Sequence, residues 1–271
     1  MKKGNLLVLL LTLVIALFSL VGCTKKDENT IVVGASATPH AEILERAKDL
    51  LAEKGYTLEI KVFDDYVMPN TALEANDLDA NYFQHLPYLL NFNASKGTNL
   101  VSAGAIHYEP FGLYGKGITS LDNVASGTVV FVPNDESNLT RALLLLAQEN
   151  LITVNPEKNV STDVALSDIT DTKGLDIKAV DADLLTAQYK NNNNILAVIN
   201  GNYALAANMK ISEALAVEDA DGDAAQTYAN IIAVKSGNEN SDKIKALIEV
   251  LTSAEIKEYI TNTYQGAVLP L

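Results

Sequence analysis

Positions 79–88 read Asp79-Ala80-Asn81-Tyr82-Phe83-Gln84-His85-Leu86-Pro87-Tyr88, which packs three aromatic rings, a histidine and three polar side chains into ten residues. Aromatic residues are only 6% of the chain, so this density is local. The segment falls at the end of an expected strand, and in an open α/β sheet ligands gather at the C-terminal ends of strands. Phe83, His85 and Tyr88 can then line an apolar slot with a few polar fixtures. The competing assignment is a core edge in which His85 is one satisfied, buried histidine.

Arg141 suggests a different chemistry. The spacing places it in the first turn of a helix capped by Asn138, where free N–H groups and the helix dipole favour an anion. A guanidinium there can clamp a carboxylate through two parallel hydrogen bonds; a plain surface arginine is the alternative. Asn200 ends the apolar run Ala197-Val198-Ile199, and Asn230 interrupts an apolar strand between Ala229 and Ile231. Asparagine is a poor strand residue. A turn with Gly201 accounts for Asn200, but nothing local accounts for Asn230. Amide groups of this kind can fix an α-amino or α-carboxyl group.

Signatures of catalysis are missing from the sequence: it has no Gly-x-Ser-x-Gly elbow, phosphate loop, His-Glu-x-x-His or dinucleotide fingerprint. His40, His85 and His107 show no ligand spacing, so neither a metal nor a cofactor is expected.

The elements that must hold these residues alternate between strand and helix. Residues 31–35 are a β-branched run, and Thr38-Pro39 then offers a cap and a proline for a helix carrying Ile43, Leu44, Ala47, Leu50 and Leu51, stopped by Gly55. A strand follows over 57–63. Further on, the pattern predicts a helix over 71–77, a strand over 78–81, a helical turn over 87–92 and a long extended stretch over 100–114. Beyond it lie a buried strand at 128–132, the Arg141 helix, strands at 177–180, 197–199 and 229–234, and one or two helices over 241–263. Such alternation implies α/β layers around mainly parallel sheets. Phe111-Gly112-Leu113-Tyr114 and Ile231-Ile232-Ala233-Val234 flank a complete α/β block and read as crossings between two lobes. A ligand cleft then lies between the lobes.

The N-terminus has the grammar of a lipoprotein leader: Lys2 and Lys3, an apolar run over 6–20, then Leu20-Val21-Gly22-Cys23. A spanning helix needs roughly 20 apolar residues, and this run is shorter. Residues 1–22 are therefore expected to be a signal peptide, with lipidated Cys23 and a polar tether over 23–30. This puts the protein at the extracytoplasmic face of the cell membrane, held by lipid. Cys23 is the sole cysteine, so no disulfide contributes. The remaining chain has 18 basic against 34 acidic residues, which argues against nucleic acid as a partner.

The segments Ala37-Thr38-Pro39-His40-Ala41-Glu42-Ile43-Leu44, Asp65-Tyr66-Val67-Met68-Pro69-Asn70, Asp79 to Leu89, His107-Tyr108-Glu109-Pro110, Val132-Pro133-Asn134-Asp135 and Val198 to Ala204 occur in one order along the chain. In these the sequence closely resembles the methionine-binding lipoproteins of bacterial ABC importers, the MetQ/NlpA family. It departs from them at Asp181-Ala182-Asp183-Leu184 and at the Asn191–Asn194 run. The resemblance implies a two-lobed, periplasmic-binding-protein-like α/β fold, each lobe a mostly parallel sheet flanked by helices. Lobe one would comprise 31–113 plus 229–271, and lobe two 114–228. It implies a protein without catalysis that captures L-methionine and hands it to an ABC permease and its ATPase. D-methionine, another methionine derivative, a methionine-containing dipeptide or another apolar amino acid are alternative cargoes. By the same resemblance Arg141 meets the ligand carboxylate, and Asn200 and Asn230 hold its amino and carboxylate groups. Tyr66, Phe83, His85 and Tyr88 surround the thioether, a polarizable sulfur that packs well against aromatic edges.

Overall fold

The computed structural model describes residues 27–219 and 223–271; the expected signal peptide over 1–22 and Cys23 lie outside the described residues. β1 (Thr30–Ser36), α1 (Glu42–Glu53), β2 (Thr57–Phe63), α2 (Met68–Glu74), β3 (Ala80–His85), α3 (Leu86–Lys96) and β4 (Leu100–Tyr108) build most of the first lobe. The chain crosses through residues 109–111. β5 (Gly112–Lys116), β6 (Val129–Pro133), α4 (Glu136–Gln148), the short pair β7 (Thr153–Val154) and β8 (Ile169–Asp171), β9 (Asp176–Val180), α5 (Leu185–Asn191), β10 (Ile195–Ile199), α6 (Gly201–Ala206) and β11 (Ala216–Val217) form the second. After α7 (Asp223–Thr227) the first lobe is completed by β12 (Asn230–Lys235), α8 (Asp242–Leu251), α9 (Ala254–Tyr264) and β13 (Leu269–Pro270). Among the described residues no helix is long and apolar enough to cross a membrane.

The first sheet has the order β13-β4-β12-β3-β1-β2 and the second β11-β5-β10-β6-β9. Both are mixed. The parallel pairing read from the sequence holds for β2-β1-β3 and for β9-β6-β10. Strands on the crossing side, β12, β4 and β13 in one sheet and β5 and β11 in the other, pair antiparallel.

Each sheet is buried on both faces because its strands alternate. Ile31, Val33 and Ala35 of β1 join the core under α1, α8 and α9, whereas Val32 joins Leu73, Leu89 and Phe92 of α2 and α3 on the other side. In the second lobe, Leu196 and Val198 pack beneath α4, while Ile195, Ala197 and Ile199 face α5. Gly34 is the one residue type that fits its position: a Cβ there would lie 2.6 Å from Leu78 Cδ1 and 2.9 Å from Phe63 Cε2.

Several boundaries differ from the sequence reading, each for a local reason. The helix expected from Thr38 starts at Glu42, because Thr38 is extended and residues 37–41 form a wide turn containing a cis Thr38-Pro39 bond. The stretch 100–114 divides at Glu109-Pro110-Phe111, so Gly112 and Leu113 pair with β10 and β11 in the second sheet rather than closing the first lobe. Ile231–Val234 is no crossing either. It lies between β3 and β4, and its unbroken apolar run is that of a strand covered on both faces. The return to lobe one precedes it.

Leu196→Ala should remove about 2–5 kcal/mol of stability, because Leu196 is fully buried on a central strand of the second sheet. Urea unfolding of residues 27–271 measures this.

Candidate functional site: a cavity between the lobes

The first-lobe wall follows from β3 running through His85, further than the sequence suggested. Phe83 and His85 then share a face, and His85 becomes the N-cap of α3, its Nδ1 accepting the Tyr88 N–H at 3.2 Å. Asp65 fixes the loop after β2 by accepting the N–H groups of Val67 (2.6 Å) and Met68 (2.8 Å). Tyr66 is thereby set against Phe83 and Tyr88, with ring centroids 5.8 and 5.7 Å away, and the Tyr88 hydroxyl donates to the Tyr66 carbonyl at 3.1 Å. Beneath the wall the amides of Asn70, Asn81 and Gln84 bond to one another at 2.7–2.9 Å and tie α2 to β3.

On the second lobe α4 carries Asn138 and Arg141. The cap of this helix is Asp135, not Asn138: the Asp135 carboxylate accepts the Asn138 N–H at 3.0 Å. Asn138 lies inside the first turn, donating its amide to Asp135 and accepting from His85 Nε2 at 3.1 Å across the cleft. Arg141 consequently sits in the second turn, and the free N–H groups of the helix start do not explain it. Its partner is Glu218. Arg141 Nε and Nη2 reach that carboxylate at 3.2 and 2.5 Å, and Nη2 also donates to the Glu109 carbonyl at 3.0 Å. Burial alone would lower the pKa of this guanidinium, but Glu218 more than offsets that and holds it up.

Between these walls lies a cavity of about 330 Å³, partly open to solvent. All seven residues singled out in the sequence line it: Tyr66, Phe83, His85, Tyr88, Arg141, Asn200 and Asn230. Asn200 stands at the start of α6, yet its side chain caps nothing, and its buried Oδ1 has no hydrogen-bond partner among the described residues. Asn230 Oδ1 is engaged by His40 Nε2 at 2.9 Å. Direct bonds close the seam around the cavity. Tyr66 donates to Asn202 Oδ1 at 2.6 Å, and the Tyr203 hydroxyl donates to the Asp64 carbonyl at 3.1 Å.

Sequence reasoning missed Glu109, in the crossing segment. It is buried, lines the cavity and accepts from His107 Nε2 at 2.8 Å, with His40 Nε2 at 3.3 Å. Burial raises its pKa, opposed by His40, Arg141 and the Asn202 N–H. A Cβ on Gly201 would fall 2.7 Å from Glu109 Oε2, so a glycine lets α6 start against this carboxylate. An acid inside an extended apolar stretch was the available signal. Gln84, Phe111, Asn138, Gly201 and Asn202 also line the cavity; of these, Asn138 had been assigned only as a cap.

His40, His107 and Glu109 converge with ligating atoms within 4.8 Å, a grouping invisible in their spacing along the chain. Hydrogen bonding accounts for it. Tyr82 hydrogen-bonds His107 Nδ1, so the His107 proton resides on Nε2 and points at Glu109. His40 Nε2 likewise faces two oxygen acceptors. The Nε2 atoms of both histidines thus face oxygen acceptors.

A two-lobed α/β body with a polar-ended, aromatic-walled cavity at its seam is the architecture of a substrate-binding protein. Residues 31–271 match the family model of the NlpA lipoproteins, and the chain belongs to that family. It is 43% identical over 250 residues, 91% of this chain and 90% of the other, to the methionine-binding lipoprotein MetQ of Bacillus subtilis. Two solved structures share the fold: a nutrient binding protein from Burkholderia cenocepacia bound to methionine (TM-score 0.82, 36% identity, 89% and 99% coverage) and the methionine binding protein MetQ (0.84, 32%, 90% and 99%).

The site's histidines make stability depend on pH. Burial is the main cause lowering His40 to about 4 and both His85 and His107 to about 3; in the unfolded chain each titrates near 6.5. Only the unfolded state binds these protons on acidification, so stability is full above about pH 6.5 and falls as pH drops toward 3. Calorimetric Tm should decline progressively from pH 7 to 4. A flat Tm over that range would contradict neutral burial.

Proposed function

We propose that this protein captures L-methionine at the extracytoplasmic face of the membrane, tethered through lipid on Cys23, and passes it to an ABC permease driven by its ATPase. It performs no catalysis. The observation that carries the reading is Asn200: a buried carboxamide oxygen without a partner among the described residues, on the wall of the cavity between the lobes, is completed by a ligand N–H group. Glu109 supplies a carboxylate for the α-ammonium on the same side, since α6 begins with Gly201 against it. At the other end Arg141 uses Nε and Nη2 on Glu218 and Glu109, which leaves Nη1 for the ligand carboxylate. Tyr66, Phe83 and Tyr88 form an aromatic slot suited to a thioether.

Calorimetry with L-methionine and mass spectrometry of any ligand released by denaturation test the assignment. No methionine released and none bound would overturn it. Asn200→Ala is the clean variant, because in the unliganded fold its Oδ1 bonds to nothing among the described residues. Affinity should fall by about 10- to 100-fold with Tm unchanged. Arg141→Ala should abolish binding, but it also strands Glu218 and should cost about 3–5 kcal/mol of stability.

Affinity should also weaken on acidification. Protonating Glu109 removes the ammonium's partner, and because burial raises its pKa the weakening should begin above the usual carboxylate range, near pH 4.5. Titrations at pH 7.5, 6.5 and 5.5 read this directly.

A further inference from the structure

The Arg141–Glu218 pair is built in rather than adventitious. Their side chains are 3% and 10% exposed. The Glu218 carboxylate accepts from Arg141 Nε and Nη2, from the Tyr108 hydroxyl at 2.6 Å and from the Phe111 N–H at 3.2 Å. The guanidinium is also stacked between rings, 3.8 Å from the centroid of Phe111 and 4.6 Å from that of Tyr228. Four donors on one carboxylate and aromatic faces around the cation hold both charges in place. A ligand carboxylate therefore cannot displace Glu218 cheaply and must share Arg141 with it.

That sharing decides the charge balance. Arg141 and Glu218 cancel, and His40, His85 and His107 are held neutral by burial. Among the described residues lining the cavity, Glu109 is the remaining carboxylate. When ionised, Glu109 puts an uncompensated negative charge at the ammonium end, stabilised by His40, Arg141 and the Asn202 N–H.

We propose that Glu218 is a specificity-determining residue, a permanent counter-ion of Arg141 that makes the cavity select its ligand by the α-ammonium group and tolerate a neutral carboxyl terminus. This rests on the amino-acid reading above and extends the ligand class to carboxyl-blocked methionine. An amide carbonyl still accepts from Nη1, so only the charge-assisted part of that bond is lost. Removing the ammonium leaves Glu109 buried with hydrogen bonds but no cation.

The test is a calorimetric panel on the unaltered protein with L-methionine, L-methioninamide, N-acetyl-L-methionine and 4-(methylthio)butanoate. Methioninamide should bind within about tenfold of L-methionine. The two compounds lacking an ammonium should bind weaker by about a hundredfold or more. If methioninamide loses as much affinity as they do, or more, while L-methionine binds, the inference fails and the function stands. If L-methionine itself does not bind, both fall. Glu218→Gln, checked by circular dichroism, leaves Arg141 uncancelled. It should improve 4-(methylthio)butanoate binding by about tenfold over the unaltered protein, and no gain in a folded variant would overturn the proposal. Should the variant not fold, the panel on the unaltered protein decides alone.

Discussion

A carboxylate buried at the crossing between two lobes constrains most of what surrounds it. Glu109 cannot be hydrated where it lies, so its neighbours must stabilise it. His107 and His40 turn their Nε2 atoms toward it, and Tyr82 and Asn230 fix how those rings are oriented. The requirement reaches into β3, β4, β12 and the turn after β1, which supply those residues. It also reaches the second lobe, where Gly201 yields space and the Asn202 N–H approaches. One acid thus links the first sheet to the start of α6.

Arg141 answers a matching constraint at the other end of the cavity. An isolated buried guanidinium is prohibitively costly. Glu218, Tyr108 and the rings of Phe111 and Tyr228 give it a permanent environment, independent of cargo. The site can therefore stay formed while empty, and the cargo needs only to complete it. The aromatic slot between these poles is held for a related reason: the Asn70, Asn81 and Gln84 amides under Tyr66 and Phe83 are joined by four hydrogen bonds among themselves, and Asn81 also donates to the Pro69 carbonyl.

The parts of this arrangement legible in the sequence were those with a local cause. Unbroken apolar runs identified β1 and β6, alternation identified β2, and the crowding of Tyr82, Phe83, His85 and Tyr88 marked one wall. Asn230 was conspicuous because no turn excused it. Partnerships across the chain left no such trace. Glu218 is 77 positions from Arg141, and Asn230 is 190 from His40. Asp135 and Asn138 are both good caps three residues apart; only the extended backbone at Asp135 decides between them. Choosing Asn138 put Arg141 one turn too early and gave a helix-dipole account of a residue that an ion pair explains. Ile231–Val234 belongs to the lobe expected for it, but an apolar run carries no information about whether it lies inside a sheet or links two.

The seam itself balances two opposing terms. Tyr66 to Asn202, Tyr203 to Asp64 and His85 to Asn138 are direct bonds between lobes, each worth about 0.5–1.5 kcal/mol net, since water satisfies the same groups when the lobes part. Against them, closing an empty cavity strands Asn200 Oδ1 at about 1–3 kcal/mol and leaves Glu109 without a cation. A ligand that satisfies both groups removes these penalties and leaves the direct bonds intact. The seam is therefore held partly by residues that do not line the cavity, and Tyr203, whose bond to Asp64 spans the lobes outside it, is one of them.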